Sequence, residues 1–414
     1  MERHRSAALG LTLALTTFAN VLSAQSASDS ASTAATTTAA ATPTAATTAA
    51  ETTAADTTAA DTTSAAAKAA QVPNFFRDIQ ANAFASLGYI NNLNQPQSQA
   101  IGLRYFDNRA NTFSVDLAEL VVQKAVANPG DAGFRLDLTA GTFAGLTQSA
   151  GLRIGESADL QQAYVAYIAP LGTGLRFDVG KFVTHMGYEL IEGYDGYNDN
   201  YSRSLLFNYA IPLTHTGIKA SYSLTPRVSV AAMVVNGWDV AIDNNKSKSI
   251  GAQLVLKPVD PLAFYVNYIG GPENQDDNSS VRHVIDLVAT LTVNPMLSLG
   301  VNADFGTEDG TSAVVPGGDG KWSGFAGYAK IATPSPFSLG LRAETFKDEG
   351  GTRLGIGETR VNEFTITPTF KFGDNFVVRA EGRYDSADLE VFEDDGGIPK
   401  KSQATVGLNA IWVY

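Results

Sequence analysis

The chain has 414 residues, no cysteine and a formal net charge of −13 at pH 7. The lack of cysteine excludes disulfides and thiolate metal sites, and the acidic balance argues against a nucleic-acid partner. Beyond the first residues there is no run of about 18 apolar residues, so the sequence predicts no membrane-spanning helix.

The first 24 residues have the features of an export signal. Arg3 and Arg5 precede an apolar run from Ala7 to Ala19, and small residues follow up to Ala24. The run is too short to cross a bilayer, which is typical of a signal peptide. We therefore predict a signal peptide over residues 1–24 and a mature chain that leaves the cytoplasm.

Residues 25–72 consist almost wholly of Ala and Thr, with near-repeats such as TTAADTTAADTT. This composition cannot bury enough apolar surface to offset the entropy lost on ordering. We predict a disordered periplasmic segment; the alternative is an Ala-driven helix, which the many β-branched Thr residues would weaken. Residues 73–414 are then predicted to form one folded unit.

Apolar and polar residues alternate along most of this unit, with the period of 2 that sends successive side chains to opposite faces of a strand. In the clearest segment, Leu297 to Phe305, apolar residues alternate with Ser298, Asn302 and Asp304. The polar face carries many charges, which would be very costly in a dry core. An apolar outside and a polar inside are typical of a membrane-spanning barrel.

Compact turns join pairs of predicted strands, and longer polar connections lie between the pairs. Short turns at one end and long loops at the other are typical of outer-membrane barrels. The first strand is predicted from Ile79 to Ile90 and the last from Ser402 to Tyr414. We predict an all-β fold, a transmembrane up-and-down antiparallel β-barrel of about 16 strands, within a range of about 14 to 18. The compact turns lie near Pro129, Gly172, Pro226, Val259, Pro295, Ser335 and Asp374.

The alternative fold is a soluble β-sandwich or β-helix, which also shows alternation. Predicted strands of about 10 to 13 residues are long for a globular sheet but suit a tilted membrane crossing. Aromatic residues near strand ends are expected to form an interfacial belt. The residues assigned to this belt are Tyr89, Tyr268, Trp322, Trp412 and Tyr414.

One segment carries a family resemblance. A strand ending in Gly-Lys-Phe leads to a long loop that returns through a Pro and a His-Thr-Gly, as in GKFVTHMGYELIEGYDGYNDNYSRSLLFNYAIPLTHTGIKASYSL, from Gly180 to Leu224. This segment resembles the outer-membrane β-barrel porin family described as OmpL-like, and the likeness extends from about Phe75 to the end. The final TVGLNAIWVY is similar to the C-terminal insertion signal of such barrels, although it would also suit an ordinary last strand. The resemblance implies a bacterial outer-membrane location and a homotrimer.

The longest connection in the barrel region, roughly His185 to Thr214, is the third long loop. The resemblance implies that it folds into the lumen as the pore constriction, with an acidic rim facing basic wall residues across a transverse field. The alternative is an exposed loop with solvated charges. The acidic excess would favour cations, although only charges at the narrow section count. The candidate loop residues are Glu189, Glu192, Asp195, Asp199 and Arg203, and the candidate wall residues are Arg135, Arg176, Lys219, Arg342, Arg379 and Arg383.

Catalytic and metal-binding motifs are not found in the sequence. It lacks H-E-x-x-H, G-x-S-x-G and a Walker loop, so we expect neither an enzyme nor a cofactor. A Ser-His pair using His215 or His283 would be the enzyme alternative. Acidic clusters such as ENQDDNSS lack the spacing of a calcium loop, which favours solvated loop tips; the alternative is that they bind calcium or bridge lipopolysaccharide through divalent ions.

Two functions fit the predicted barrel. The first is a porin that passes small hydrophilic solutes or ions, because a barrel of about 16 strands is wide enough for an aqueous channel. The second is a plugged structural or adhesive barrel that binds a partner through its external loops. The expected partners are the lipid bilayer, lipopolysaccharide and the solutes, and no nucleic acid.

Overall fold

The computed structural model describes residues 78–414. The predicted signal peptide, the Ala/Thr-rich segment and residues 73–77 lie outside this range. Within it, no helix has the length and apolar character needed to cross a membrane.

The fold is a closed barrel of 16 antiparallel strands, as the alternation predicted. Two further short strands, β16 (Phe392–Glu393) and β17 (Pro399–Lys400), pair with each other as a ribbon in the last loop. The barrel strands are β1 (Gln80–Asn92), β2 (Thr112–Lys124), β3 (Ala132–Ala140), β4 (Ala158–Ala169), β5 (Leu175–Val183), β6 (Thr214–Thr225), β7 (Val228–Val235), β8 (Ser249–Val259), β9 (Leu262–Pro272), β10 (Val281–Asn294), β11 (Leu297–Glu308), β12 (Gly320–Ala332), β13 (Phe337–Asp348), β14 (Thr359–Phe372), β15 (Phe376–Ala387) and β18 (Ser402–Val413).

Closure comes from the first and last strands. β1 pairs with β18 from Phe84 opposite Val413 to Asn92 opposite Thr405, and every other barrel strand pairs with its neighbours in chain order. The closed sheet leaves no strand edge whose N–H and C=O groups lipid would have to satisfy. The seven predicted compact turns all fall between paired strands at one end, and the long loops lie at the other.

Side chains alternate across the wall as the sequence predicted. On β11, Ser298, Asn302 and Asp304 face inward and are buried, whereas Phe305 faces outward and is 52 % exposed. The outward face would be in contact with lipid, so its exposed apolar side chains are the expected surface of a membrane barrel.

The buried core lies inside the barrel. The third loop, residues 184–213, brings apolar side chains into the lumen and contains a short π-helix, Leu206–Ala210. Met186, Leu205 and Phe207 are buried there among inward-facing wall residues. The lumen is therefore largely filled by protein at this level.

The assignment of Trp322 to the outer aromatic belt is wrong. Trp322 faces inward, is 2 % exposed, and its Nε1 donates to the carbonyl oxygen of Ala210 in the third loop at 3.1 Å. Its ring lies over Gly306, where any side chain would collide with the indole. The reason is the alternation of side chains along the strand: Trp322 lies an even number of residues from Ala326 and shares its inward face. Closeness to a strand end does not show which face a residue occupies.

We predict that Trp322→Ala lowers the free energy of unfolding by about 3 to 5 kcal/mol, because it empties a buried site. Trp412→Ala is the matched control, since Trp412 is 43 % exposed on the outer face and should cost less. Urea unfolding of the refolded barrel in lipid vesicles measures both changes. Equal losses for the two variants would contradict the inward placement of Trp322.

Candidate channel constriction

The third loop runs around the inside of the wall and contacts strand after strand. It leaves β5, crosses the face of the β9 to β15 sector, reaches β2 and β3, and then returns to β6. A loop held at so many points has few alternative positions. In chain order the wall contacts are His185 with Tyr268 on β9, Gly187 with Asp286 on β10, Tyr188 with Asn302 on β11, Glu189 with Arg342 on β13, Glu192 with Arg379 on β15, Tyr194 with Glu119 on β2, and Asp195 with Arg135 on β3.

Two of the predicted loop acids form fully buried ion pairs with predicted wall arginines. Glu189 lies 2.7 Å from Nη1 of Arg342, and Glu192 lies 2.7 Å from Nη1 of Arg379. Arg342 also contacts Glu363 on β14 at 2.8 Å. Each guanidinium thus has carboxylate partners at close range, as a buried charge requires.

The other two loop acids pair nearer to solvent. Asp195 lies 2.6 Å from Nη2 of Arg135, and Asp199 lies 2.5 Å from Nζ of Lys330 on β12. Lys330 was not among the residues predicted from the sequence. All four acids therefore contact a basic wall residue directly, instead of facing it across an open gap.

Arg203, the predicted basic residue of the loop, holds the loop to itself. Its Nη1 donates to the carbonyl oxygen of Tyr201 at 2.8 Å, and its Nη2 lies 3.2 Å from Glu192. The guanidinium also lies over the rings of Phe106 and Phe143, at 5.7 and 5.9 Å. These contacts fix the shape of the loop and keep the side chain of Arg203 buried.

Wall carboxylates bind the backbone of the loop in return. Glu381 on β15 accepts hydrogen bonds from the N–H groups of Tyr201 and Ser202, at 2.6 and 3.1 Å. Glu344 on β13 accepts from the N–H of Leu205 at 2.7 Å. Glu344 and Glu381 lie on the inward face of their strands, but a sequence pattern does not show which backbone groups they bind.

The first long loop, residues 93–111, also enters the barrel. Its Arg104 pairs with Asp385 on β15 and donates to the carbonyl oxygen of Arg203 at 3.0 Å. Its Asp107 pairs with Arg383. Arg383 is therefore covered by the first loop, and the two loops contact each other over the β15 wall.

The predicted wall residues differ in access to solvent. The side chains of Arg176 and Lys219 retain 16 % and 26 % exposure, and both contact Asp178, at 2.9 and 3.3 Å. Arg135 borders a cavity of about 40 Å³ between the loop and the wall. Arg342, Arg379 and Arg383 are fully buried beneath the loops, so they do not line open water as the sequence suggested.

The inner wall is therefore least covered along β5 to β8. Inward residues there, such as Ser221, Ala231, Gln253 and Val255, are half-buried. Inward residues of β10 to β15, such as Asp304, are buried. The loop packs most closely against β10 to β15 and covers the inner wall of β5 to β8 less.

The electrostatic balance at Glu192 favours the charged form. Burial raises the pKa of this carboxyl, but the guanidinium groups of Arg203 and Arg379 outweigh burial and hold its pKa below the ordinary value of 4.5. Glu192 is therefore ionised in the docked loop at neutral pH.

The histidines of the enzyme alternative lie on opposite faces of the wall. His215 is buried inside, with Thr184 Oγ1 at 3.1 Å and the carbonyl oxygen of Gly237 at 3.2 Å. His283 faces outward, with the hydroxyl of Tyr268 at 2.8 Å. Across residues 78–414, no group of three or more His, Asp and Glu side chains could hold a metal ion.

Comparison with known proteins gives the family. The family model described as "Putative beta-barrel porin-2, OmpL-like" matches residues 78–413. The chain belongs to this family. Its family and its closed 16-strand fold make it an outer-membrane channel protein. No curated protein sequence matches the chain.

Solved porin structures share the fold at low sequence identity. An anion-selective porin from Comamonas acidovorans is 9 % identical with a TM-score of 0.55, covering 81 % of this chain and 99 % of its own. The channel DcaP of Acinetobacter baumannii is 11 % identical with a TM-score of 0.54, covering 81 % and 97 %. A trimer form of OmpT of Vibrio cholerae is 12 % identical with a TM-score of 0.54, covering 81 % and 99 %.

We predict that Glu192→Gln and Arg379→Gln each lower the free energy of unfolding by about 3 to 5 kcal/mol, because each removes one partner of a buried ion pair. The double variant should lose less than the sum, since both single variants break the same Glu192–Arg379 contact. Urea unfolding of the unsubstituted protein, the two single variants and the double variant in vesicles gives a double-mutant cycle. The exposed pair Lys347 and Glu349 is the control and should show no measurable coupling; equal coupling in both cycles would contradict the docked loop.

We also predict that acid releases the loop. Because the folded pKa of Glu192 is depressed, its contribution to docking is complete above the ordinary carboxyl pKa and is lost as pH falls through the lower folded value. Conductance should stay constant between about pH 5 and pH 8 and rise below about pH 4. Glu192→Gln should show the released state already at neutral pH; a pH profile identical to that of the unsubstituted protein would count against this role of Glu192.

Proposed function

We propose that the barrel is a diffusion channel for small hydrophilic solutes or ions, with the third loop as its narrowest section and no catalysis. The carrying observation is the path of the loop, which is fixed to β13, β15 and β3 through Glu189, Glu192 and Asp195. A constriction must keep its position against thermal motion, and buried ion pairs with several hydrogen bonds restrict a loop in this way.

The proposed path follows β5 to β8. Arg176 and Lys219 stand on the partly exposed inner wall there, and both contact Asp178. The side chain of Lys219 is the more exposed of the two, at 26 %, so its ammonium group is the wall cation with the greater access to the path. We therefore propose a preference for anions, against the cation preference suggested by the net charge of −13. Most acidic residues of the chain lie outside the path, where screening weakens their effect on a permeating ion.

We predict that Lys219→Gln shifts the reversal potential toward cation selectivity in planar bilayers with a salt gradient, because it removes one positive charge from the wall. Lys347→Gln is the matched control, since Lys347 lies on the outer face of β13 and should leave selectivity unchanged. A reversal potential that is unaffected by Lys219→Gln would place the path elsewhere in the lumen.

One observation favours a second function, a plugged barrel that binds a partner through its external loops. Arg342, Arg379 and Arg383 are fully buried, so the loops pack directly against this part of the wall. The two functions differ in conductance. A folded, purified barrel that gives discrete single-channel steps supports the channel, and one that gives none supports the plugged barrel.

The assembly and export of the chain stay predictions. One structural neighbour is described as a trimer form, which agrees with the homotrimer expected from the family resemblance. A bilayer and lipopolysaccharide as partners follow from the outward apolar face and the proposed outer-membrane location. The signal peptide over residues 1–24 supplies the export that this location requires.

A further inference from the structure

Two rows of outward side chains cross β9 to β12 near the long-loop end of the barrel. The lower row is mostly apolar: Tyr268, Ile285 and Phe305 stand opposite one another on successive strands, and Ser323 continues the row on β12. Ile285 and Phe305 are exposed on the outer face. The row therefore belongs to the apolar surface that meets lipid.

The upper row is polar and lies two residues nearer the strand ends. It contains Gly270, His283, Thr307 and Lys321, again in register across the four strands. His283, Thr307 and Lys321 are exposed. The boundary between the two rows is thus a change from apolar to hydrogen-bonding and cationic surface.

A cavity of about 520 Å³ opens where the two rows meet. It is lined by Ile285 and Phe305 on the apolar side and by His283, Thr307 and Lys321 on the polar side. This is a site for a molecule with an apolar part and an anionic or hydrogen-bonding part, held on the outside of the wall. The lumen described above lies on the other face of the sheet.

Lys321 is the cation in the lining of this cavity, which also includes the carboxylate of Glu349. Lys321 makes no ion pair with any other residue of 78–414, whereas the neighbouring carboxylate of Glu349 is bound by Nζ of Lys347 at 2.9 Å. A lysine at the edge of the apolar band places its stem on the apolar surface and its ammonium group at the headgroup level. The cavity therefore offers a cation to an anion at the membrane interface.

A local contact orients His283 toward a donor role. The hydroxyl of Tyr268 lies 2.8 Å from Nδ1 of His283, and Gly270 provides the room, because a side chain there would collide with that hydroxyl. When the hydroxyl donates to Nδ1, the neutral ring carries its proton on Nε2. Nε2, the Thr307 hydroxyl and the Lys321 ammonium then form one set of donors.

We propose that this cavity binds a phosphate-bearing lipid of the outer leaflet. The phosphate is held by Lys321, Thr307 and His283, and an acyl chain lies along Ile285 and Phe305. Three donors including a cation match the oxygens and charge of a phosphate. A free phosphate would leave the apolar side of the cavity unused, so the two-part lining indicates a lipid.

The test uses the full-length barrel, stripped of lipid in detergent and titrated with diphosphorylated lipid A while native mass spectrometry counts bound lipid. Lipid A with its phosphates removed and inorganic phosphate are the two comparison probes. We expect retention of the diphosphorylated lipid, with roughly tenfold weaker binding by Lys321→Gln, because one charge-assisted contact is lost. Lys401→Gln, at an exposed lysine of the same barrel end outside the cavity, should bind as the unsubstituted protein does.

Three results would overturn the proposal. They are equal binding of the dephosphorylated lipid, equal weakening by Lys401→Gln and Lys321→Gln, and binding of inorganic phosphate as tight as that of the lipid. Thr307→Val serves as a second variant if Lys321→Gln does not fold, since it removes one donor and keeps the side-chain shape. Unchanged lipid binding by a folded Thr307→Val would also argue against the site.

Discussion

The structure depends on charge neutralisation between the inner wall and the third loop. Wall arginines bind loop carboxylates, as in Arg342 with Glu189, and wall carboxylates bind loop N–H groups, as in Glu381 with Tyr201. A buried charge without a partner costs several kcal/mol, so neither the inner wall nor the loop could be buried without the other. Each makes the other stable, and the position of the loop follows from this pairing.

The strands and turns could be predicted because their causes are local. Side chains alternate with a period of 2, and a lipid-facing wall requires one apolar face, so β11 shows its inward and outward residues directly in the sequence. Pro and Gly residues mark the compact turns in the same way. The bounds predicted for the first and last strands accordingly differ from the observed ones by only a residue or two.

The contacts of the loop could not be predicted, because they join residues far apart in the chain. The loop acids were identified as a group, but their partners depend on which strand the loop passes, so Lys330 and Glu119 were missed. Trp322 was assigned to the wrong face because the assignment used its closeness to a strand end. The face is decided by whether a residue alternates with the inward or the outward side chains of its strand. The family resemblance supplied the one long-range prediction, that the loop folds inward, and this agrees with the structure.

The packing of the loop to one side has consequences for function. It buries the wall of β10 to β15 and leaves Arg176 and Lys219 beside the remaining space. In the proposed channel, selectivity would depend on a few charges on β5 and β6 more than on the net charge of the chain. The outer face is a separate surface, where the same strands that hold the loop inside present the proposed lipid site outside.

The most direct test is a disulfide between the loop and the wall, which the absence of native cysteine makes clean. Nδ2 of Asn200 lies 2.8 Å from Oγ1 of Thr367 on β14, so the variant Asn200→Cys with Thr367→Cys brings two thiols together only if the loop is docked. Single-channel conductance would be recorded before and after oxidation. We predict that the disulfide forms readily and leaves the conductance at neutral pH unchanged. Failure to form it in a folded barrel, or a large change in conductance when it forms, would contradict a loop already fixed at the constriction.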